Sequence, residues 1–566
     1  MQKYTYYAIL TKISTFDSLK GLDMNRSTLQ FLVLSMLSVT LFSIPWLVPC
    51  CGWLLLIAWI PLLWVEANIS KSKSKGCWNY YALTFLLWNA FTTYWIYKAT
   101  LWGGVGAVVA NAFQMFLIFA LFRLVKRKSG DKIGYLFLVT LWIAWEYFYF
   151  DTEMSWPWLV LGNGFANTTF LIQWYEYTGV LGGSLWVLIS NILIFKIIRG
   201  FYLKQKSHVM WKVITIVLVV LPATLSLFRF FTFKEEVHPI EVVVLQPNID
   251  PYNEKFDGMT QEVQDLRLLK LAEEAISPTT RYLFAPETAI SDVLENNMMQ
   301  NTSLERIYHF LASHPQVTFV VGATSRFIYP QSKQEPSETA RRGFDYWYDT
   351  FNSGFQLSHD MPPFVYHKSK LVPMVEKQPY IKYLKFVNKL AIDLGGSVGS
   401  FATQSEATLF PAPWNNHPSG TTLAPLYIGT AICYESAYGA YFASYVRKGA
   451  GFMSVITNDG WWGKTPGYLQ HLSYSRLRAI ETRRSIARSA NTGISALINQ
   501  RGDYLQKSEW WTMGYLRGEI NINHKLTFYV RYGDFIGKAS LYLLVLLLIY
   551  WILLRRSNHS KPYSIR

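Results

Sequence analysis

Apolar stretches long enough to cross a bilayer recur along this chain, and no other feature narrows its possible folds so sharply. A hydrocarbon core of roughly 30 Å needs about 20 helical residues. Candidate spans lie at 28–47, 51–68, 77–97, 103–122, 133–149, 178–195 and 210–230, and an eighth runs from Ile536 to Leu554 after a gap of some 300 residues. The first follows a polar stretch of nearly thirty residues and is followed at once by another span, so it reads as a retained anchor rather than a cleaved signal peptide. Composition agrees: charged residues are 16% of the chain, against about 25% in an average soluble domain, while apolar residues reach 51% and aromatics 17%. These values exclude a wholly soluble protein and a disordered one. At 566 residues the chain also exceeds the roughly 250 to 300 that one core organises, so at least two units are expected.

The formal charge of +16 suits either a nucleic-acid binder or a membrane protein with basic cytoplasmic loops, and position decides between them. Lys3, Lys12, Lys20 and Arg26 precede the first span, Lys71, Lys73 and Lys75 follow the second, and Arg123, Lys126, Arg127 and Lys128 follow the fourth. Lys196, Arg199, Lys204 and Lys206 follow the sixth, and Arg555, Arg556 and Lys561 the eighth. The alternate loops carry little beyond Lys98, Asp151, Glu153 and Glu176. Both termini are therefore expected in the cytoplasm, and the basic balance reports orientation, so no nucleic-acid partner is expected. The expected division is a membrane part over 1–231, an extramembrane domain over 232–535 on the far side, and a last span with a cytoplasmic tail over 536–566. Glu66 and Glu146 are the acidic residues within spans that most need an explanation. The connection from Asp151 to Tyr175, rich in Trp and Phe yet broken by Pro157 and Gly162, reads either as a re-entrant segment or as an interfacial aromatic belt.

Between 232 and 535 short β-rich runs alternate with helical stretches. Strands are expected at 241–248, 281–287, 318–325, 349–357, 364–371, 426–435, 452–459 and 494–503, and helices at Gln261 to Ala275, Thr302 to Ser313 and Gln470 to Ala490. Several runs are apolar on both faces, which suggests strands covered on each side in a layered α/β domain.

Chemistry is expected where polar residues end apolar runs. Glu287 follows RYLFAP, Lys368 lies in FVYHKSKL, and Cys433 follows LYIGTAI. A carboxylate takes a thiol proton and returns it, a lysine stabilises an oxyanion, and a thiolate attacks acyl carbon. Each has an ordinary reading as well: an inert core cysteine, a glutamate opening a helix, a solvated lysine. Their combination favours an acyl-transfer site. The four cysteines form no C-x-x-C pair, and no G-x-x-x-x-G-K or H-E-x-x-H motif is present, so neither a metal nor an organic cofactor is expected.

These motifs resemble the nitrilase superfamily, and more closely the membrane-embedded apolipoprotein N-acyltransferases of the bacterial lipoprotein pathway. APETAIS around Glu287, YHKSKLVPMVE around Lys368 and ICYE around Cys433 stand in that family's order, with LQPNI (245–249) upstream and ITNDGWWG (456–463) and RLRAIETRRSIARSANTGIS (476–495) downstream. The resemblance implies eight transmembrane helices and an α-β-β-α nitrilase-like sandwich. It implies Glu287 as general base and acid, Lys368 as oxyanion stabiliser and Cys433 as nucleophile. Glu376 matches a further acidic residue of the family, and Tyr434 and Glu435 match the pair after the nucleophile. Glu376 and Glu435 read equally well as support for Lys368 or the backbone. Trp461 and Trp462 resemble an aromatic loop beside the site. One departure is Met374 and Val375, where the family commonly has Phe-Gly.

The implied reaction transfers an acyl chain from a glycerophospholipid, through a Cys433 thioester, to the α-amine of the S-diacylglyceryl cysteine of an apolipoprotein, at the periplasmic face of a bacterial inner membrane. Two alternatives remain at this point: a membrane-anchored nitrilase-type amide hydrolase, against which eight spans weigh because one would anchor it, and a non-catalytic transporter or receptor.

Overall fold

The computed structural model describes residues 26–69, 77–205, 209–255, 258–330, 336–380, 400–413 and 426–559. Among the described residues six helices are long and apolar enough to cross a membrane: Arg26–Leu47, Gly52–Ile69, Leu101–Tyr149, Tyr175–Tyr202, Val209–Thr232 and Phe535–Leu553. The expected number was eight, and two local features account for the difference. The Leu101–Tyr149 element has 49 residues, so one straight helix of that length would run about 73 Å, more than twice a hydrocarbon core. Its backbone leaves helical geometry at Gly130 (φ 80°, ψ 173°), and the arms on either side pack together, with the Phe122 and Tyr135 rings 5.7 Å apart and Lys126 Nζ donating to Tyr135 Oη at 3.1 Å. The run expected at 77–97 divides into a 17-residue helix, Cys77–Thr93, and a tight 3₁₀ turn, Tyr94–Lys98.

The 151–175 connection forms no interfacial belt. It folds into three short 3₁₀ turns, Pro157–Leu159, Leu161–Phe165 and Thr169–Leu171, and most of it is buried. Irregular backbone away from water must find partners within the protein, and here it does. Glu146 Oε1 accepts from Leu161 N at 2.9 Å, Ser184 Oγ from Gly162 N at 3.1 Å, and Gly162 O from Tyr175 Oη at 2.9 Å. Gly162 is required by this approach, because a β-carbon there would run into the Val180 carbonyl. Glu146 is therefore a cap for this segment. Glu66 is buried against Lys126, a structural ion pair.

The α/β region contains two sheets. The first has the path β14-β1-β2-β4-β6-β5, with β3 (Ile290–Leu294) on β4 and β7 (Met361–His367) on β6. Its other members are β1 (Pro239–Gln246), β2 (Tyr282–Phe284), β4 (Thr318–Tyr329), β5 (Arg341–Arg342), β6 (Trp347–Ser358) and β14 (Gly514–Asn521). The second runs β13-β12-β11-β10-β9-β8, from β8 (Leu409–Pro411), β9 (Tyr427–Ile432), β10 (Ala450–Thr457), β11 (Ile486–Ala490), β12 (Ala496–Ile498) and β13 (Tyr504–Lys507). Val242, Val244, Tyr282, Phe284 and Val320 of the first sheet meet Ile428, Phe452, Val455 and Ile456 of the second in one apolar layer. The outer face of the first sheet packs on the helices Gln261–Ala275 and Thr302–Ser313, whose starts are capped by Thr260 and Asn301. Gly439–Arg447 and Pro466–Thr482 pack on the second sheet. The layering is α-β-β-α.

The helix expected over Gln470 to Ala490 is corrected. It ends at Thr482, Arg483 turns left-handed (φ 49°), and Ile486–Ala490 forms β11 in the second sheet. Pairing with β10 gives Ile486 and Ala487 full burial, which overrides the helical continuity of the Arg-rich run.

Candidate active site

Each reactive residue stands at the end of a strand. Glu287 comes three residues after β2, Lys368 directly follows β7, and Cys433 directly follows β9 as the first residue of a 3₁₀ turn. Cys433 itself is left-handed (φ 50°), an unfavourable conformation for a side chain with a β-carbon. The turn holding it is tied down from three sides. Ser436 Oγ donates to Cys433 O at 2.7 Å, His471 Nε2 lies 3.1 Å from the same carbonyl, and Glu435 accepts from Ile432 N at 2.8 Å.

The three expected residues meet at one cavity. Lys368 Nζ donates to Glu287 Oε1 and to Glu376 Oε1, each at 2.9 Å. Asn352 Nδ2 bridges the same two carboxylates at 2.8 and 2.9 Å, while its carbonyl accepts from Lys368 N at 2.8 Å. Asn458 N donates to Glu287 Oε2 at 3.2 Å, and Val372 N to Glu376 Oε2 at 2.8 Å. Glu287, Lys368, Glu376, Cys433 and Tyr434 line a cavity of about 1230 Å³, its open mouth included.

Electrostatics fixes the resting protonation. Burial would raise the Glu287 carboxyl, but Lys368 and Asn352 outweigh it and hold it below its usual range. Burial likewise works against the Lys368 ammonium, yet Glu287 and Glu376 push it well above the ordinary value. The Cys433 thiol is pushed well up by burial, with Glu287 adding to the effect and Lys368 opposing it. Lys368 faces both carboxyl groups, and the buried Lys255 ammonium also pulls Glu287 down. Ionising the thiol outright would add a negative charge beside Glu287, whereas moving its proton to Glu287 leaves the total charge unchanged.

Behind the sulfur lies a second buried set. Asp459 accepts from Thr457 Oγ1 (2.8 Å), Arg488 Nη2 (2.6 Å) and His471 Nδ1 (2.8 Å). The Cys433 sulfur, an Asp459 oxygen and a His471 nitrogen lie within 4.8 Å of one another, donor types that bind a soft metal. Here the Arg488 guanidinium occupies the place a cation would take against Asp459, so the set reads as internal support.

The remaining expected residues divide. Glu435 is fully buried and does not line the cavity. Its Oε1 accepts from Tyr366 Oη and Ser369 N, both at 2.6 Å, and from Lys370 N at 3.2 Å, so it ties the cysteine turn to the lysine loop. Burial pushes its carboxyl up to about 7. Tyr434 Oη donates to Ser155 O at 2.9 Å. Trp462 packs against Trp95 (4.8 Å) and Trp158 (5.9 Å), and Trp461 lines the mouth, its carbonyl accepting from Tyr252 Oη at 2.5 Å. Met374, in place of the family's Phe, adopts φ 66°, and Val375 lines the cavity.

Trp95, Trp156 and Trp158, from the apolar half of the chain, line the same cavity. Family comparisons divide at the same place. Residues 37–193 match the profile described as "Apolipoprotein N-acyltransferase N-terminal domain", and residues 244–524 match "Carbon-nitrogen hydrolase". The chain belongs to the apolipoprotein N-acyltransferase family. Among similar proteins named apolipoprotein N-acyltransferase, that of Chlorobaculum tepidum is 28% identical, over 86% of this chain and 90% of its own length. That of Geobacter metallireducens is 27% identical, over 84% and 87%. Among solved structures, the Saccharomyces cerevisiae nitrilase-superfamily protein Nit3 aligns at 15% identity and a TM-score of 0.35, over 50% of this chain and 90% of that one.

Reasoning from the sequence did not single out Asn352, His471, Ser436 or Trp95; Asp459 entered only within ITNDGWWG, and Trp156 and Trp158 only within the aromatic 151–175 connection. Asn352 left a faint signal, an amide in the middle of an otherwise buried strand. His471, Ser436 and Trp95 carry none, since a histidine within a helix, a serine after a strand and a tryptophan in an apolar run are ordinary.

Proposed function

We propose that this N-acyltransferase works through a Glu287-Lys368-Cys433 triad in two half-reactions. Lipoprotein N-acylation is the activity of its family; the donor, the residue roles and the covalent intermediate are our reading. Cys433 Sγ attacks an ester carbonyl of a glycerophospholipid while Glu287 takes the thiol proton. Lys368 Nζ stabilises the oxyanion. The glyceryl oxygen leaves with the proton held by Glu287, giving a lysophospholipid and a thioester. The α-amine of an S-diacylglyceryl cysteine then attacks the thioester, returns a proton through Glu287, and leaves as the amide while the thiol is regenerated. This order is ping-pong.

One observation carries the reading. The buried ammonium that bridges Glu287 and Glu376 opens onto the same cavity as the thiol, and that cavity is walled by tryptophans from the membrane half. Acyl chains cost about 0.8 kcal/mol per methylene to bring into water, so a site reached from the bilayer suits two lipid substrates. We read eight spans: the six long helices, with the 49-residue element counted as two, and Cys77–Thr93 with its 3₁₀ extension. The turn at Gly130 is flanked by Arg127, Lys128 and Lys132, at the end of its hairpin away from the α/β domain, which supports cytoplasmic termini and a periplasmic active site.

Intact mass spectrometry tests the reaction. Protein incubated with phospholipid is expected to gain one acyl mass on Cys433, and a diacylglyceryl-cysteine peptide is expected to discharge it as an amide. Discharge only to free fatty acid would make the protein a hydrolase.

A further inference from the structure

A second cavity, of about 1510 Å³ with its mouth, lies where the α/β domain meets the ends of two membrane helices. Tyr147, Phe150 and Asp151 at the end of the 49-residue element, and Asp534 and Lys538 at the start of Phe535–His559, form one side of it. It shares no lining residue with the catalytic cavity, and Tyr438, on its wall, packs its ring on that of Tyr434 at 5.3 Å.

Five basic residues line it, Lys370, Arg447, Lys448, Arg531 and Lys538, against Asp151, Glu406 and Asp534. The three acids are engaged. Asp151 pairs with Lys370 at 3.1 Å, Glu406 with Lys448 at 2.7 Å, and buried Asp534 accepts from Tyr529 Oη at 2.9 Å. Five basic against three acidic groups leave two positive charges in excess, with Lys538 near enough to act on Asp534, and with Arg447 and Arg531 outside these pairs. Arg447 is fixed by its Nε donating to Val530 O at 2.8 Å, which leaves its terminal nitrogens free to turn inward. Gly533 (φ 63°) forms part of the floor, and within 4 Å of where its β-carbon would stand there is only an Arg447 nitrogen, at 3.9 Å. The space beside it is open.

A basic cavity at the ends of two membrane helices matches one chemistry in particular, the phosphate of a lipid headgroup, which accepts paired hydrogen bonds from guanidinium groups. We propose that this cavity binds the headgroup of an anionic glycerophospholipid as a resident site separate from the acyl donor, with Arg447, Arg531 and Lys538 as its ligands. The lipid's chains would run along the exposed apolar face of the last helix, where Tyr542, Val545 and Leu546 face outward.

The test uses the full-length protein in phosphatidylcholine nanodiscs carrying graded phosphatidylglycerol, with bound lipid counted by native mass spectrometry. Each basic group near an anionic lipid contributes roughly fivefold to affinity. The triple variant Arg447→Gln, Arg531→Gln, Lys538→Gln is therefore expected to bind phosphatidylglycerol on the order of a hundredfold more weakly. Arg531→Gln and Lys538→Gln alone, at exposed positions that leave folding intact, are each expected to lose about fivefold. Equal retention by wild type and the single variants would overturn the proposal. So would displacement of the lipid by millimolar inorganic phosphate, which would mark a free-anion site. Retention needs no turnover, so measuring the Cys433 adduct on the same samples separates this result from the catalytic reading.

Discussion

Lys368 is the residue on which the site's electrostatics turns, because its buried ammonium bridges the carboxyl groups of Glu287 and Glu376 and holds Glu287 below its usual range. Replacing it by Met leaves two buried carboxylates facing each other across Asn352. Removing one member of a buried pair typically costs about 3–5 kcal/mol, so Lys368→Met is expected to lower the unfolding free energy by that amount and to abolish the Cys433 adduct. Denaturant unfolding in detergent measures the first and mass spectrometry the second. The directions of the shifts also fix the pH response. A carboxyl held below its usual value in the folded state stabilises it above the unfolded pKa, and that contribution is lost as pH falls through the folded value. Adduct formation is therefore expected to stay level from neutral pH through the ordinary carboxylate range and to fall only below it. The thiol behaves oppositely, since burial keeps it protonated. Alkylation of Cys433 by a small neutral reagent is expected to be slow at pH 7 and to rise only above the ordinary thiol range; fast alkylation near neutrality would contradict the proton transfer to Glu287.

Among the elements, the Pro466–Thr482 helix does most to place the site, since it joins the second sheet to the membrane half. Gln470, buried within it, accepts from Trp95 Nε1 (3.2 Å) and Trp158 Nε1 (2.7 Å) and donates to Thr92 O (3.1 Å) and Trp46 O (3.3 Å). Gln470→Leu keeps the volume and takes the partner from Trp158 Nε1 and from Trp46 O, whereas Trp95 Nε1 still donates to Thr92 O at 3.1 Å. A loss of about 2–4 kcal/mol is expected, with a wider catalytic cavity whose acyl-chain preference shifts, read from competition between donors of different chain length. How legible such elements were in the sequence depended on whether local signals sufficed. Gln261–Ala275 and Thr302–Ser313 were expected over the residues they occupy, and the structure shows local determinants at their starts, where Thr260 and Asn301 cap them. β2, β7 and β9 were legible as strands but not in their ends: expected over 281–287, 364–371 and 426–435, they stop at Phe284, His367 and Ile432, so Glu287, Lys368 and Cys433 follow the strands instead of lying within them. β11 was not, since the left-handed turn at Arg483 that separates it from the helix is set by pairing with β10. The buried 151–175 segment was legible as unusual but open between two readings, because only its partners Glu146 and Ser184, on other helices, decide between them.

At the scale of the whole molecule the two halves share a core, although the sequence divides so cleanly by composition. Tyr434, Tyr438, Tyr474, Leu477 and Ile480 of the α/β region are buried in the same cluster as Trp46, Trp95, Trp158 and Leu181 of the membrane half. Buried polar bonds cross the same boundary: Glu481 Oε1 accepts from Val180 N at 3.0 Å, and Arg483 Nε donates to Glu176 Oε2 at 2.8 Å. A segment limited to residues 232–535 would therefore expose five large apolar side chains on one face. It would also take Glu176 and Gln173 from Arg483 and the Val180 N–H from Glu481, which keeps only its pair with Arg478, and open the catalytic cavity to water on its tryptophan side. Contiguous exposed apolar surface of that kind drives aggregation, and unpaired charges add their own cost. The segment expressed alone is expected to be aggregated or strongly destabilised, in size-exclusion chromatography and thermal unfolding, and to form no acyl adduct even with short-chain, water-soluble esters. Co-expression with residues 1–231 as a separate chain is expected to restore both folding and adduct. A segment that folded and acylated unaided would instead mean that the membrane half only delivers lipid and contributes nothing to the active-site wall.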